Sequence, residues 1–99
     1  AKRNALPMMQ KELQAIDVHG KSVMRHADWL MWRVKKVLEQ QPEVLIIHGF
    51  SKGTAWSDFI RTGRFHTYCD MRLADFPTFD IECVNLGRSL LRRRNEQPK

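Results

Sequence analysis

Ninety-nine residues with 42% apolar composition make one domain with room for one modest core. No run of about 18 apolar residues occurs, so no membrane span is predicted, and Ala1 to Lys11 lacks the apolar centre of a secretory signal. A formal net charge of +6 favours an anionic partner, most commonly nucleic acid for a small basic domain, against the plain alternative of a charge serving solubility.

Residues 1–14 are polar and interrupted by Pro7, and read as a flexible N-terminal arm ahead of a domain spanning 15–94. A first strand is expected over Ala15 to His19. Gly20 turns the chain, and Ser22 is placed to cap a helix by accepting a hydrogen bond from a free backbone N–H. That helix, Val23 to Gln40, has the clearest period in the sequence: Val23, Ala27, Leu30, Val34, Val37 and Leu38 form one buried stripe, with Met24 and Met31 packing at its margins. Pro42 ends it. Val44 to His48 is a continuous apolar strand, the pattern of a strand covered on both faces.

Gly49 to Gly53 is a glycine-bounded loop, and a short helix follows from its candidate cap Thr54 to Thr62, stopped by Gly63. Phe65 to Leu73 is mixed and gives no clear element before Pro77. Phe79, Ile81 and Cys83 then alternate with polar neighbours, Asn85-Leu86-Gly87 reads as a turn, and Arg88 to Arg92 returns as a hairpin strand. Arg92-Arg93-Arg94 reads as a solvated end and 95–99 as a frayed tail. The order β-α-β-α-β-β predicts an α/β two-layer sandwich with a mixed sheet. Cys69 and Cys83, with no Cys-x-x-Cys and no nearby His pair, read as two reduced, packed thiols of a cytoplasmic protein rather than a disulfide or a zinc site.

Two words in the chain rhyme. Asp17-Val18-His19-Gly20 and Ile46-Ile47-His48-Gly49 each close an apolar run just ahead of a helix, 29 positions apart, the length of one strand–helix–strand crossover. Parallel neighbouring strands place both corners at one sheet edge, where open α/β sheets hold their ligands. Asp17 and His19, two apart on a strand, share a face; the carboxylate favours the imidazolium and fixes a tautomer. His48 is expected across the corner from His19, and two imidazoles with a carboxylate can move protons during attack on a phosphodiester. The bland reading is a pair of strand-end histidines that bond loop carbonyls.

The starts of both helices offer unpaired N–H groups to a phosphate, and Lys52 can add a full charge. The expected nucleic-acid contacts are Lys21, Gly49, Ser51, Lys52, Gly53 and Thr54. No Gly-x-x-x-x-Gly-Lys-Ser/Thr loop occurs, which argues against nucleoside triphosphates.

On the long helix, Trp29, Trp32, Arg25 and Lys36 fall opposite the apolar stripe. They are open to base stacking, to a lid formed by the arm, or to contact with a second copy or a protein partner. Trp56 reads as the edge of the core, and His26 and His66 as surface residues.

At Ile16-Asp17-Val18-His19-Gly20 and Ile46-Ile47-His48-Gly49-Phe50-Ser51-Lys52-Gly53-Thr54 the chain resembles the small MutS-related (Smr) domain family. Asn85-Leu86-Gly87-Arg88-Ser89-Leu90-Leu91 resembles that family's closing turn and strand. The resemblance is good over Ala15 to Arg61 and thin thereafter. It implies a sandwich similar to the C-terminal domain of translation initiation factor three, binding of DNA or RNA, and endonuclease activity in several members. It makes Asp17 and His19 the catalytic pair and lets His48 and Gly49 shape the nucleic-acid site. The chain departs from the family's His-Gly-x-Gly word because, after Gly49, the next glycine is delayed past Phe50 and Ser51 to Gly53; this weakens cleavage more than binding. RNA cleavage can proceed by a base activating the 2′-hydroxyl, whereas DNA nicking calls for Mg²⁺ or Mn²⁺.

Overall fold

The computed structural model describes residues 13–49 and 54–94. Its elements are β1 (Gln14–Asp17), α1 (Val23–Gln40), β2 (Glu43–Ile47), α2 (Ala55–Arg61), α3 (Arg64–Arg72), β3 (Phe79–Asn85) and β4 (Arg88–Arg93). The four strands form one mixed sheet in the order β1-β2-β4-β3, in which β1 and β2 run parallel and the other pairs antiparallel. The α/β sandwich read from the sequence is present, with one helix more than expected. No helix among the described residues is long and apolar enough to cross a membrane.

The α1 stripe is what ties helix to sheet. Ala27, Leu30, Met31, Val34 and Leu38 are buried, with Val23 and Val37 packed at the margin. The Ser22 hydroxyl accepts from the Arg25 N–H at 3.3 Å, satisfying one of the helix's free donors. Gln41, extended as Pro42 requires of its predecessor, ends the helix. Met31 joins the core, but Met24 is 91% exposed. Side chains lean toward a helix's N-terminus, so one in the first turn leans past the packed surface rather than onto it.

Ile16, Val18, Val44, Ile46, Phe79 and Leu91 line the helix-covered face of the sheet. The expectation that β2 is covered on both faces is corrected: Val44 and Ile46 are buried, whereas Leu45 and Ile47, on the opposite face, are only half-buried. These outer residues are apolar for a cross-strand reason. Ala15, Leu45 and Leu90 stand in register as a row over three neighbouring strands.

The third helix, α3, lies in the mixed stretch Phe65 to Leu73, where no element is expected. Gly63, at φ +89°, ends α2 as expected, but α3 starts at the next residue. Only Phe65 and Cys69, one turn apart, are fully buried in it, too few to show a period. The Phe65 ring packs at 5.7 Å from Phe59 and 6.1 Å from Phe79. Tyr68 donates its hydroxyl to Asp28 of α1 at 2.6 Å, and Arg72 lies 3.7 Å over the Tyr68 ring.

The hairpin of β3 and β4 forms as expected, with an irregularity between Cys83 and Asn85. Arg92 is not a solvated end: it pairs with Glu43 at 2.9 Å and Glu82 at 3.0 Å across three strands. Arg93 donates to the Leu38 carbonyl and Arg94 pairs with Asp80. Both cysteines are free. Cys69 is packed, and burial pushes its thiol up to about 12; Cys83, expected to pack, is exposed.

Residues 1–12 of the expected arm and the 95–99 tail lie outside the described residues. Gln14, the arm's last residue, is the first of β1 and pairs with Val44.

Candidate nucleic-acid interface

The parallel register Asp17↔Ile47 ends β1 and β2 at the same level, and Val18 extends the pairing by donating to the Ile47 carbonyl at 2.8 Å. Both His-Gly corners therefore stand at one sheet edge, as the crossover spacing implied. Each corner turns through a glycine in the left-handed region, Gly20 at φ +78° and Gly49 at φ +70°. Gly49 is needed for a second reason. A Cβ there would meet the His19 Cβ at 3.0 Å, so His19 rests directly against the second corner.

Asp17 and His19 form one unit. Asp17 Oδ1 accepts from the His19 backbone N–H at 3.0 Å and from its ring Nδ1 at 2.6 Å. The bond from His19 is the main reason the Asp17 carboxyl is held below the ordinary 3.8, opposed by slight burial. With Nδ1–H committed to the carboxylate, Nε2 is the ring's free nitrogen among the described residues, and the side chain is exposed.

His48 does not join this pair, which corrects the expectation that it faces His19. Alternation along β2 continues through Val44, Ile46 and His48, sending the His48 ring to the helix-covered face while Asp17 and His19 lie on the other. His48 Nε2 lies 2.9 Å from the Ser89 hydroxyl, and Nδ1 lies 3.2 Å from the Gly49 carbonyl. Ser89 is fully buried, and its oxygen accepts from Arg61 Nε at 2.8 Å. With the imidazole neutral, Arg61 donates to Ser89, Ser89 to His48 Nε2, and His48 Nδ1–H to Gly49. Burial, with the Arg61 charge as a smaller cause, holds the His48 pKa below the ordinary 6.5 against the opposing pull of the Gly49 carbonyl.

Arg61 also donates to the carbonyls of Asn85 and Arg88, the latter at 2.7 Å, so it clamps the β3–β4 turn. The turn is tied to the second corner again by its Gly87 carbonyl, which accepts from both His48 N–H at 2.8 Å and Gly49 N–H at 3.0 Å. Those two amides are therefore committed to the fold.

Between corner and turn lies a cleft of about 430 Å³ lined by Ile47, Gly49, Asn85, Leu86, Gly87 and Arg88. The register Asp17↔Ile47↔Arg88 puts Arg88 in the same row as Asp17, on the open face of the sheet. Asp17 and His19 stand beside the cleft rather than in its lining, Asp17 next to Ile47 and His19 against Gly49, while Arg88 lines it directly.

Of the remaining expected contacts, Lys21 is exposed beside the first corner. Its carbonyl accepts from Trp56 Nε1 at 2.7 Å, which is why Trp56 is buried at the core edge. Thr54 precedes α2 as its cap residue, yet its hydroxyl donates to Asp58 at 3.0 Å instead of capping a backbone amide. Ser51, Lys52 and Gly53 lie outside the described residues. His26 and His66 are half-buried rather than on the surface: His26 Nδ1 donates to the Ser22 carbonyl at 3.0 Å, and the His66 ring packs 4.5 Å from Phe79. Among the described residues, no group of three or more His, Cys, Asp or Glu side chains is placed to hold a metal ion.

The sequence reading missed Arg61, Ser89 and Arg88 as site residues. Arg88 alone carried a local signal, as the residue following the Asn-Leu-Gly turn. Arg61 and Ser89 meet only through the packing of α2 on β4.

No family model and no curated protein matches the chain. Among solved structures, the solution structure of the SMR domain of NEDD4-binding protein 2 is similar to it, with 12% sequence identity and a TM-score of 0.47 over 89% of this chain and 93% of that one.

Proposed function

We propose that the chain binds nucleic acid at the His-Gly edge and cleaves a phosphodiester there, with RNA as the substrate. The observation that carries this reading is the 2.6 Å bond between His19 and Asp17, which leaves one imidazole nitrogen open beside Gly49, a residue that lines the same cleft as Arg88. His19 Nε2 is the general base. It takes the 2′-hydroxyl proton as that oxygen attacks the adjacent phosphorus, and the 5′-oxygen leaves and takes a proton from water. The products are a 2′,3′-cyclic phosphate and a 5′-hydroxyl end.

Asp17 holds the tautomer and stabilises the imidazolium as it forms. Arg88 and Lys21 hold phosphate oxygens, Arg88 with a fork suited to two of them. Gly49 keeps the approach to His19 open. His48 has a positioning role: through Ser89 and Arg61 it fixes the carbonyl of Gly49 and the wall of the cleft. Ser51, Lys52, Gly53 and Thr54 complete the phosphate contacts on the α2 side.

The test is incubation with labelled single- and double-stranded RNA and DNA, with EDTA, Mg²⁺ or Mn²⁺. The expected result is RNA cut in EDTA to cyclic-phosphate ends. Cutting of DNA alone, only with metal, contradicts the 2′-hydroxyl route. Binding that falls steeply with salt but yields no product in any arm leaves a non-catalytic nucleic-acid binder. No binding at all overturns the proposal.

A further inference from the structure

The Trp29 and Trp32 face of α1 is left outside the cleft and outside the core. Both indoles are open, at 39% and 53% exposure, on the side of α1 turned away from the sheet. Arg25, Arg33 and Lys36 are exposed on the same side, within about 100° of helix rotation. None of the three has an ion pair among the described residues, whereas Lys35 is paired with Glu39 and Asp28 is engaged by Tyr68 and Arg72. The acidic groups of α1 are thus neutralised, whereas Arg25, Arg33 and Lys36 have no ion-pair partner among the described residues.

Trp32, Lys35, Lys36 and Glu39 line a hollow of about 390 Å³, within the range of small-molecule sites. The Arg33 guanidinium lies 5.3 Å from the Trp29 ring and His26 meets its edge, so Trp29 is held in place and Trp32 is the more open platform.

A second copy of the chain fits this face poorly. The two indoles expose roughly 200 Å², taking about 250 Å² for each whole side chain, against about 800 Å² per partner in a standard interface. A two-fold contact would also set three unpaired cations against three more. Planar aromatic groups among unpaired cations match stacked bases joined by phosphates.

We propose that α1 is a second contact for single-stranded nucleic acid. A strand leaving the His19 corner passes Lys21 and Arg25, then stacks bases on Trp29 and Trp32 while Arg33 and Lys36 hold its phosphates. The track runs about 20 Å along the helix axis. This inference rests on the cleft reading, which supplies the other end of the strand.

The experiment is titration of Trp32→Ala and Trp32→Phe proteins with a trinucleotide and with a single strand of about 12 nucleotides. Trp32→Ala is expected to weaken the long strand about 5- to 150-fold, the range of one lost base stack, and to leave the trinucleotide unchanged; Trp32→Phe restores most of the loss. A Lys36→Gln protein should lower the salt slope by about one for the long strand alone. If the parent binds the long strand and Trp32→Ala binds it equally, the α1 contact is wrong and the cleft reading stands. If the parent binds no strand, both fall. A dimer by light scattering that Trp32→Ala abolishes assigns the face to a second copy and overturns the proposal.

Discussion

Gly49→Ala separates the fold from the site, because two costs act at that position and one of them can be measured elsewhere. At φ +70° an alanine takes the left-handed conformation, which costs about 1–2 kcal/mol. Gly63 has φ +89°, and a Cβ there meets nothing within 4 Å, so Gly63→Ala isolates that backbone cost. In Gly49→Ala the new methyl also meets the His19 Cβ at 3.0 Å. That atom cannot swing away as the tip of a long side chain can, so the His19 backbone must give by a few tenths of an ångström. Adding about 1 kcal/mol for this overpacking, Gly49→Ala is expected to lose about 2–3 kcal/mol and Gly63→Ala about 1–2. At roughly 4–8 °C per kcal/mol for a chain of this size, the pair should differ by about 4–8 °C in Tm. Cleavage should divide them more sharply: Gly63→Ala keeps the parent rate while folded, and Gly49→Ala falls at least tenfold as the Asp17–His19 bond is disturbed. Thermal melts with single-turnover assays at a temperature where both are folded measure this. Equal stability and equal rates in the two proteins would refute the placement of His19 against Gly49.

Ser89→Ala removes the link between His48 and Arg61, leaving a buried ring nitrogen unpaired; with Arg61 keeping its two carbonyl bonds, the loss is about 2–3 kcal/mol by urea unfolding. A loss under 0.5 kcal/mol contradicts the network. Because the pKa of His48 is lowered in the fold, its neutral form is favoured there. Its contribution is full above the ordinary 6.5 and is lost as pH falls through the lower folded value; a His48→Gln protein, measured over the same range, should show a flatter decline. An equally steep decline would point to other groups. Met31→Ala should cost about 2–5 kcal/mol as a core truncation and Met24→Ala under 0.5 kcal/mol, checked by denaturant midpoints; equal losses contradict the orientation of α1.

Where one periodic signal dominates, sequence and structure agree. Val23 to Gln40 is helical to both ends because the stripe, the Ser22 cap and Pro42 all point the same way. α3 was hidden because Phe65 and Cys69 are its only fully buried residues, and Gly63 reads as a stop whether or not another helix follows. The His48 error has a related cause. Val44, Ile46 and His48 alternate with Leu45 and Ile47, but a run that is apolar at every position conceals which parity faces the helices. The Asp17–His19 pair was legible because its geometry is local, two residues on one strand. Arg61 and Ser89 were not, since only the packing of α2 on β4 brings them together, and Arg88, though it follows the turn, reaches the row of Asp17 only through strand order and register.

In the proposed reaction His19, oriented by Asp17, moves the proton during phosphodiester cleavage. The most direct measurement is the single-turnover rate on labelled RNA for the parent and for folded Asp17→Asn and His19→Ala proteins. Loss of a positioned general base predicts a fall of about 10²–10⁴-fold for His19→Ala, and a large fall for Asp17→Asn, with binding of the strand retained in both. Rates within threefold of the parent in both variants would contradict the account.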